Sequence, residues 1–407
     1  PADIDTAFSD FMPTFGLNMR QFDMMMKIYK ILSQKYDVVC TNPPYMGGSG
    51  MNVKLSEFVK SKFPDYKSDL FSTFVIRCTQ LCKAEGYLGF LTPYVWMFIQ
   101  SYEKMRNYIY STRTIETLIQ FEYSAFEEAT VPICTFALKN SKVNKKGVYL
   151  RLTDFRGGME VQRQKTLEAI ADHKCGYYFE TNSANFSKIP GSPVAYWVSE
   201  NFIRAFERGI SIDSISDFTG SQHITANNDK YLRLHWEIDA NKVGMGKKWV
   251  YYAKGGDFRK WYGNIELVVD WSEGAVQYYK TNSTSNLLAE KYRFKEGITY
   301  TELTSSVNTF RYLPPVCIFD KKGPSIVSVK KLWYCLGIFG TKIAPLYFAI
   351  LNPTLSTQVR DVKNLPIIVN GEIEPKIDEI VKENVEICKQ DWNDFETSWG
   401  FEKHPLI

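Results

Sequence analysis

Apolar and polar positions follow two different spacings over the first 140 residues. Residues 21–35 carry apolar side chains three or four positions apart, which predicts an amphipathic helix. The next residues, Tyr36 to Cys40, form a short apolar run that predicts a buried strand. Helical spacing returns at 70–83 and at about 95–110, and strand-like runs occupy 87–92, 115–121 and 131–138. This alternation favours an α/β fold with parallel strands.

The pattern changes after residue 140. Residues 141–210 are rich in Lys, Asn and Gly and are irregular apart from a helical stretch near 161–171, which predicts a linker or bridging subdomain. Residues 211–369 contain short strand-like runs between Gly-rich turns, a pattern typical of a mostly β or α+β domain. Residues 374–398 have the spacing of an acidic amphipathic helix. We therefore expect four regions, with bounds 1–140, 141–210, 211–369 and 370–407.

Composition narrows the class of protein. The chain has 407 residues, of which 44% are hydrophobic and 23% are charged, and this usage excludes a disordered or coiled-coil chain. The apolar stretch 332–351 is interrupted by glycines, Lys342 and Pro345, so we expect no membrane segment. The eight cysteines form no C-x-x-C pair and the four histidines are scattered. The sequence therefore predicts reduced thiols, a cytoplasmic protein and no metal site.

The distribution of charge is more informative than its sum of +4. Residues 1–140 carry 14 basic and 14 acidic side chains, and residues 370–407 carry 4 and 10. The positive excess lies between them, with 11 basic and 7 acidic side chains in 141–210 and 20 and 14 in 211–369. A polyanionic partner is expected to bind in this central zone.

The strongest chemical signal is the tetrapeptide Asn42-Pro43-Pro44-Tyr45, directly after the predicted strand. Ligands of open α/β sheets bind at the carboxyl ends of strands. The two prolines have no N–H group, so the Asn42 amide oxygen and the Pro43 carbonyl remain as acceptors. A planar amino group donating both hydrogens to them would direct its lone pair out of plane toward an electrophile, while Tyr45 stacks on its ring. The alternative is a tight turn in which Asn42 caps and Tyr45 packs.

Three further segments support one reading of this tetrapeptide. N-P-P-Y after such a strand resembles motif IV of the amino methyltransferases that use S-adenosylmethionine. Ser68-Asp69-Leu70-Phe71, followed by Phe74, resembles the next motif of the DNA adenine methyltransferases, in which a helix helps to form the cofactor and target pockets. The run 86–93 with Trp96 resembles the strand and loop that follow. Ser124-Ala125-Phe126 before the apolar run 131–138 resembles a later motif in which an aromatic side chain faces the flipped base.

The likeness is to the PglX methyltransferases of BREX phage-defence systems and, more broadly, to type IIG restriction-modification enzymes. It implies N6 methylation of adenine in double-stranded DNA, with other defence-system proteins as candidate partners. It also implies site residues: Asn42, Pro43, Pro44 and Tyr45 as catalytic, Tyr45 and Phe126 stacking on the target base, and Asp69 and Phe71 near the cofactor S-adenosylmethionine. Core packing is the alternative for Phe71 and Phe126.

One departure from this family bears on the cofactor. The family's Gly-rich cofactor loop precedes N-P-P-Y by many tens of residues, whereas 41 residues precede Asn42 here and none of them forms a G-x-G after a strand. We therefore expect a carboxyl-terminal portion, a partial Rossmann-like methyltransferase sheet that lacks most of the cofactor site. A glutamine-amide or RNA methyltransferase remains an alternative function, and so does a non-catalytic DNA-binding or complex-assembly module.

The candidate DNA-binding segment is 241–264, which has six basic, one acidic and six aromatic residues. Basic side chains contact phosphates and glycines allow close backbone approach. The predicted DNA-binding residues are Lys247, Lys248, Lys254, Gly255, Gly256, Arg259 and Lys260. The segments 254–264 and 351–366 resemble target-recognition regions of the same large methyltransferases. A solvated hairpin is the alternative, and a second polar loop at 220–223 has side chains suited to base-edge contacts.

Overall fold

The computed structural model describes residues 19–123, 131–218, 222–303, 307–352 and 356–407. The chain divides into two compact units. Within the described residues, the first unit runs to Ser187 and also takes in Gly191–Trp197. The second unit holds Lys188–Pro190 and Val198–Ile407.

The first unit is built on a six-stranded sheet. Its strands are β1 (Tyr36–Thr41), β2 (Cys82–Pro93), β3 (Thr114–Gln120), β4 (Ile133–Lys139), β5 (Gly147–Arg151) and β6 (Tyr178–Thr181). Its helices are α1 (Met19–Ser33), α2 (Val53–Lys62), α3 (Leu70–Leu81), α4 (Glu103–Thr112) and α5 (Gly158–Ala171). The predicted helix over 95–110 is corrected by the structure: short single-turn helices occupy 94–97 and 100–102, and the α-helix begins only at Glu103.

The strand order is β1-β2-β4-β3-β5-β6, and the sheet is mixed. β1 pairs with β2 in parallel and β3 pairs with β5 in parallel, but β4 runs antiparallel to both β2 and β3. The expectation of parallel strands is therefore wrong for β4, and also for β6, which runs antiparallel to β5. Antiparallel neighbours need no crossover helix, so helix and strand need not alternate here. β1, β2, β3 and β5 all point the same way, and their carboxyl ends lie along one edge.

A buried arginine organises the core beside this sheet. Arg106 in α4 has no exposed surface, and its guanidinium donates to the carbonyls of Trp96 (2.6 Å), Ile99 (2.8 Å) and Gly191 (2.6 Å). A buried cation needs such acceptors because it has left water. The bond to Gly191 fastens the segment 191–197 to the first unit.

The strand β1 differs from its prediction. It was expected to be buried, but it is an edge strand that pairs only with β2 among the described residues, and Val38 is 60% exposed. The apolar spacing of 21–35 does form the helix α1, yet Met25 and Tyr29 on it are also largely exposed. Apolar spacing predicts the element, whereas burial depends on what lies next to it.

The second unit contains two four-stranded sheets and one two-stranded sheet, with orders β14-β10-β11-β9, β13-β12-β15-β8 and β16-β7. The strands are β7 (Ile210–Ser211), β8 (Asp217–Phe218), β9 (Leu232–Leu234), β10 (Trp249–Ala253), β11 (Leu267–Asp270), β12 (Gly297–Tyr300), β13 (Phe310–Leu313), β14 (Cys317–Phe319), β15 (Ser325–Val327) and β16 (Pro366–Ile367). The helices are α6 (Glu200–Arg208), α7 (Asn228–Tyr231), α8 (Glu273–Thr281), α9 (Leu332–Gly340), α10 (Ile343–Leu351), α11 (Val359–Lys363) and α12 (Glu374–Asn393). These elements fit the expected α+β character.

The carboxyl-terminal helix α12 packs on the preceding region, as its amphipathic spacing predicts. Its buried residues Val381 and Val385 belong to the same apolar core as α9 and α10. A side-chain carbon at Gly337 of α9 would lie 2.9 Å from Val381, so the glycine permits this close approach. In the described ranges no single helix is long and apolar enough to cross a membrane; α9 and α10 meet that test only together, and they are bent by 82°.

The assignment of a separate function to each of the four regions stays a prediction. The structure adds that β5 and β6, which lie in the expected linker 141–210, complete the sheet of the first unit. β5 pairs directly with β3, although β4 lies between them in the sequence. The change in composition at residue 140 gives no information about this pairing.

The imidazole ring of one histidine in the second unit is buried. His223 has no exposed surface, and neither ring nitrogen has a hydrogen-bond partner within the part of the chain that the structure describes. The rings of Tyr279 (4.7 Å) and Tyr252 (5.6 Å) stand edge-on to it. Burial, with a smaller contribution from Arg293, lowers the pKa of His223 to about 3. The expectation that Gln222 and His223 belong to a base-contacting loop is wrong, because both side chains are buried; residues 220 and 221 lie outside the described residues.

We expect His223 to make folding less stable in acid. Its ordinary pKa is 6.5, so the unfolded chain binds a proton there while the folded chain stays neutral. The stability is fully present above pH 6.5 and falls as the pH drops toward 3, by roughly 2 kcal/mol between about pH 6.5 and pH 5. Urea unfolding of wild type and His223→Phe at several pH values measures this. The variant should lose less stability in acid, and His173→Phe, at an exposed histidine, should behave like wild type.

Candidate active site

The tetrapeptide begins where β1 leaves the sheet. Thr41 is the last paired residue, opposite Phe90 of β2. Asn42 is exposed, Pro43 is buried and Pro44 is exposed. Among the described residues, neither the Asn42 side chain nor the Pro43 carbonyl has a hydrogen-bond partner. Two acceptors therefore remain free at the carboxyl end of a strand, where the sequence predicts them.

Tyr45 is held at two points and remains 38% exposed. Its hydroxyl donates to the Leu91 carbonyl at the end of β2, with 3.3 Å between the oxygens. The ring of Phe71 meets it edge-on, with 6.5 Å between centroids and 85° between planes. Partial burial, with a smaller contribution from Cys134, raises the pKa of Tyr45, so the phenol stays neutral. A partly exposed ring fixed in this way can stack on a flat ligand.

Asp69 fastens the loop to helix α3. Its Oδ1 accepts from the Phe71 amide (3.1 Å), which caps the helix, and also from the Met46 amide (2.9 Å). The Leu70 amide donates in turn to the Met46 carbonyl (2.9 Å). A carboxylate at a helix N-terminus is stabilised by the free amides and the helix dipole. The position after Tyr45 is thus fixed, while the acceptors before it stay free.

The two predicted cofactor residues, Asp69 and Phe71, both contact the loop that contains Tyr45 and Met46. Asp69 is half-buried and uses one oxygen for the two amides, which leaves Oδ2 without a hydrogen bond among the described residues. Phe71 is 1% exposed and packs between Tyr45 and Tyr102. The structure therefore places Phe71 against Tyr45 of the loop 42–45, and of these two residues only Asp69 offers a polar atom to a ligand. The cofactor role of both residues stays a prediction.

Two residues at the same edge were not singled out from the sequence. Tyr94 directly follows β2 and is half-buried, and Arg151 is the last residue of β5. The Cys134 thiol, at the start of β4, lies near both Tyr45 and Tyr94. An aromatic residue just after a predicted strand is the signal that identifies Tyr94, whereas no strand is predicted before Arg151 and no local signal identifies it. Phe126 lies outside the described residues.

Metal and disulfide chemistry have no support in the described part of the chain. All eight cysteines are free thiols. No group of three or more His, Cys, Asp or Glu side chains within the described ranges is arranged to hold a metal ion. Burial raises the pKa of Cys134 to about 12, so this thiol is not a nucleophile at neutral pH.

The basic residues around β10 differ in exposure and in whether they form ion pairs within the protein. Lys247 and Lys248 are exposed in the loop before the strand, and Lys248 lies 3.9 Å from Asp270. Lys254 follows the strand, is half-buried, and has no ion pair with any residue of the described ranges. Lys247 and Lys254 are therefore available to a polyanion, whereas Lys248 already forms a long ion pair with Asp270.

The predicted glycine pair has a structural reason of its own. Gly255 and Gly256 have φ angles of +84° and +125°, which other residues rarely adopt. A side-chain carbon at Gly255 would lie 2.8 Å from the Lys322 carbonyl, and one at Gly256 would lie 2.8 Å from the Asn264 amide nitrogen. The close approach that the glycines allow here is therefore to the protein's own backbone and side chains.

Arg259 and Lys260 face the carboxyl-terminal part of the second unit. Arg259 forms an ion pair with Asp391 (2.9 Å), and its guanidinium lies 4.6 Å from the centre of the Trp392 ring. Lys260 donates to the Gly340 carbonyl (3.3 Å). A DNA-binding role for these two would compete with contacts already made, and it stays a prediction, as it does for the three lysines and the glycines.

Comparisons with known proteins identify relatives of this chain. A model of the Eco57I restriction-modification methylase family matches residues 5–126. The adenine-specific methyltransferase BrxX of Escherichia coli strain HS is 33% identical over 391 residues, covering 93% of this chain and 31% of BrxX. The adenine-specific methyltransferase PglX of Lacticaseibacillus casei strain Zhang is 31% identical over 406 residues, covering 94% of this chain and 33% of PglX.

A solved structure resembles the fold over most of the chain. The type IIL restriction-modification enzyme MmeI, solved in complex with DNA, superposes with a TM-score of 0.54 and 10% identity, covering 87% of this chain and 49% of MmeI. The chain spans about a third of the length of the two curated relatives. On the strength of those relatives and of the family-model match to residues 5–126, the chain belongs to the family of adenine-specific methyltransferases of the BREX and type IIG restriction-modification kind.

Proposed function

We propose that this chain carries the catalytic loop of a site-specific DNA adenine N6-methyltransferase of a restriction-modification or phage-defence system. The observation that carries the proposal is the pair of free acceptors, on Asn42 and Pro43, beside the partly exposed ring of Tyr45. Adenine presents what this arrangement would bind: a flat ring with one exocyclic amino group. Membership of the adenine-specific family favours this substrate over a glutamine amide or RNA.

The two acceptors would act on the amino group itself. An amino group conjugated with the ring is a poor nucleophile because its lone pair is delocalised. If N6 donates one hydrogen to Asn42 Oδ1 and the other to the Pro43 carbonyl, its lone pair is directed out of the ring plane. Positive charge develops on N6 as the new bond forms, and fixed acceptor dipoles stabilise that charge without reorganising.

Tyr45 would hold the base outside the helix. An enzyme that acts on a base in duplex DNA must flip it out of the stack, at a cost of a few kcal/mol. Stacking on an aromatic ring returns about 1–3 kcal/mol per base. The contacts of Tyr45 with Leu91 and Phe71 fix the ring before the base arrives, so little side-chain entropy is lost on binding.

S-adenosylmethionine is the proposed methyl donor, and it supplies an electrophilic methyl group when bound. Among the residues proposed to contact it, the free Oδ2 of Asp69 fits a hydrogen-bond donor of such a ligand. Phe71 is buried and fits a supporting role under Tyr45 instead. The part of Asp69 in the reaction is to hold the loop at Met46 and thereby orient the two acceptors.

Double-stranded DNA is the proposed partner of both units, and the cytoplasm the proposed location. The exposed lysines around β10 supply positive charge in the second unit, and the structure of MmeI, whose fold is similar, was solved with DNA. Eight unpaired thiols are typical of a reducing compartment. Other defence-system proteins are further candidate partners.

The first test replaces the acceptor side chain. In the full-length enzyme, Asn42→Ala should lower kcat roughly 100-fold or more, since the missing dipole acts on charge that develops in the transition state. DNA binding should stay near wild type. Methylation is measured by transfer of a radiolabelled methyl group to DNA. Asn52→Ala is the matched control: it removes an exposed asparagine that caps α2 in the same unit and should leave methylation near wild type. Near-normal methylation by Asn42→Ala would refute the mechanism.

A second test separates stacking from the hydroxyl contact. Tyr45→Phe removes one 3.3 Å hydrogen bond and keeps the ring, so we expect most activity to remain. Tyr45→Ala removes the ring, and we expect capture of the extruded base to weaken roughly tenfold or more, given about 1–3 kcal/mol per stacked base. Fluorescence of 2-aminopurine at the target position reports the flipped state. Equal effects in the two variants would show that the hydroxyl, and not the ring, matters.

A third test concerns the lysines around β10. Combined Lys247→Ala, Lys248→Ala and Lys254→Ala should lower the slope of log affinity against log salt by about 0.9 for each phosphate that the variant no longer neutralises. Fluorescence anisotropy with a labelled duplex between about 50 and 200 mM salt measures this. Arg259→Ala should change the slope less, because that guanidinium is already paired with Asp391. An unchanged slope in the triple variant would remove these lysines from the DNA interface.

A further inference from the structure

A positively charged side chain, Arg151, lies at the same sheet edge as the catalytic loop. Arg151 ends β5, and its guanidinium lies 4.8 Å from the centre of the Trp197 ring. Its Nε donates to Thr153 Oγ1 (3.3 Å). Within the described ranges, Arg151 has no ion pair and its two terminal nitrogens have no hydrogen bond. The side chain is half-buried, so its charge is partly desolvated without being neutralised.

The arrangement around this arginine is rigid. Trp197 stands edge-on to Tyr196, with 5.0 Å between the ring centroids, and the Tyr196 hydroxyl donates to Gln120 Oε1 (2.9 Å) at the end of β3. Tyr196 also stacks on Tyr149 of β5 (5.0 Å, 13°). The tryptophan that carries the guanidinium is therefore fixed by the sheet itself. A cation held in advance loses little entropy when it binds an anion.

The charged and polar neighbours leave the guanidinium free. The carboxylate closest in sequence, Asp154, is exposed and accepts from Thr153 Oγ1 (3.2 Å), not from Arg151. Arg151 is close enough to Tyr94, at the end of β2, to oppose the rise in its pKa that burial causes. Tyr94 in turn shares the neighbourhood of Cys134 with Tyr45. Tyr45, Tyr94 and Arg151 thus all lie at the edge formed by the carboxyl ends of β1, β2 and β5.

We propose that Arg151 binds a phosphodiester group of the DNA on which the catalytic loop acts. This inference rests on the proposed function and adds a contact in the first unit to those expected in the second. A planar guanidinium offers two parallel donors to a phosphate, and Arg151 has both terminal nitrogens unused within the described ranges. Four strand spacings of about 4.8 Å separate β5 from β1, roughly 19 Å, which is slightly more than the rise of half a turn of a duplex.

A second arginine of the same unit provides the comparison. Arg113 is also half-buried and also lies over an aromatic ring, 5.2 Å from the centre of Tyr108. It precedes β3, at the opposite edge of the sheet from the catalytic loop, and donates to the Tyr108 hydroxyl (2.8 Å) and the Thr112 carbonyl (2.8 Å). If stacking on an aromatic ring were all that Arg151 does, the two arginines would respond alike to replacement.

The experiment measures the salt dependence of DNA binding by the full-length protein. A fluorescein-labelled duplex is titrated at several salt concentrations with wild type, Arg151→Ala, Arg151→Lys and Arg113→Ala. Arg151→Ala should weaken binding several-fold and lower the slope by about 0.9, the value for one phosphate contact. Arg151→Lys keeps the charge and should keep the slope. Arg113→Ala should match wild type.

Two results overturn the proposal: an unchanged slope in Arg151→Ala, or an equal fall in Arg113→Ala, which would make the effect one of net charge. Circular dichroism and thermal unfolding check that each variant is folded. Arg151→Gln, which removes the charge but keeps a long polar side chain, replaces the alanine variant if that variant is not folded, and the same fall in slope is expected from it. Methylation by wild type is followed separately. If wild type fails to methylate while the slope falls only in Arg151→Ala, the catalytic proposal fails and the phosphate contact stands.

Discussion

The absence of two backbone donors governs the candidate site. Pro43 and Pro44 have no N–H group, so the pairing of β1 with β2 stops at Thr41 and the chain leaves the sheet with acceptors alone. Any ligand that fills this position must supply the hydrogens. After the prolines, the Met46 amide is a donor and needs an acceptor, which the Asp69 carboxylate supplies. The loop can therefore be held in place while its acceptors stay free, because Asp69 accepts from the Met46 amide and not from any group of the two prolines.

Much of the first unit could be predicted because its signals are local. The strand before Asn42, the helix beginning after Asp69 and the acceptor-rich loop each depend on a few adjacent residues and on fixed backbone chemistry. The elements around 70–83, 115–121 and 131–138 are predictable for the same reason. The family could be recognised because several such segments follow one another in order along the chain.

The features that could not be predicted depend on residues far apart in sequence. β4 lies antiparallel between β2 and β3, and no local spacing distinguishes it from a parallel strand. Arg259 has the sequence surroundings of a free cation, but Asp391, 132 residues away, lies beside it. His223 is polar and stands in a polar stretch of sequence, yet aromatic rings from β10 and α8 enclose it. In each case the decisive partner is brought in by tertiary packing.

The hydrogen bond from Arg106 to the Gly191 carbonyl shows that the first unit is not one continuous stretch of the chain. The polypeptide reaches Ser187, contributes three residues to the other unit, and then returns as 191–197 with the tryptophan that faces Arg151. A truncation at 187, or at the change of composition near 140, would remove an acceptor from a guanidinium that has no access to water. An excised first unit that keeps its interior hydrogen bonds must therefore extend at least to Tyr196, whose hydroxyl donates to Gln120.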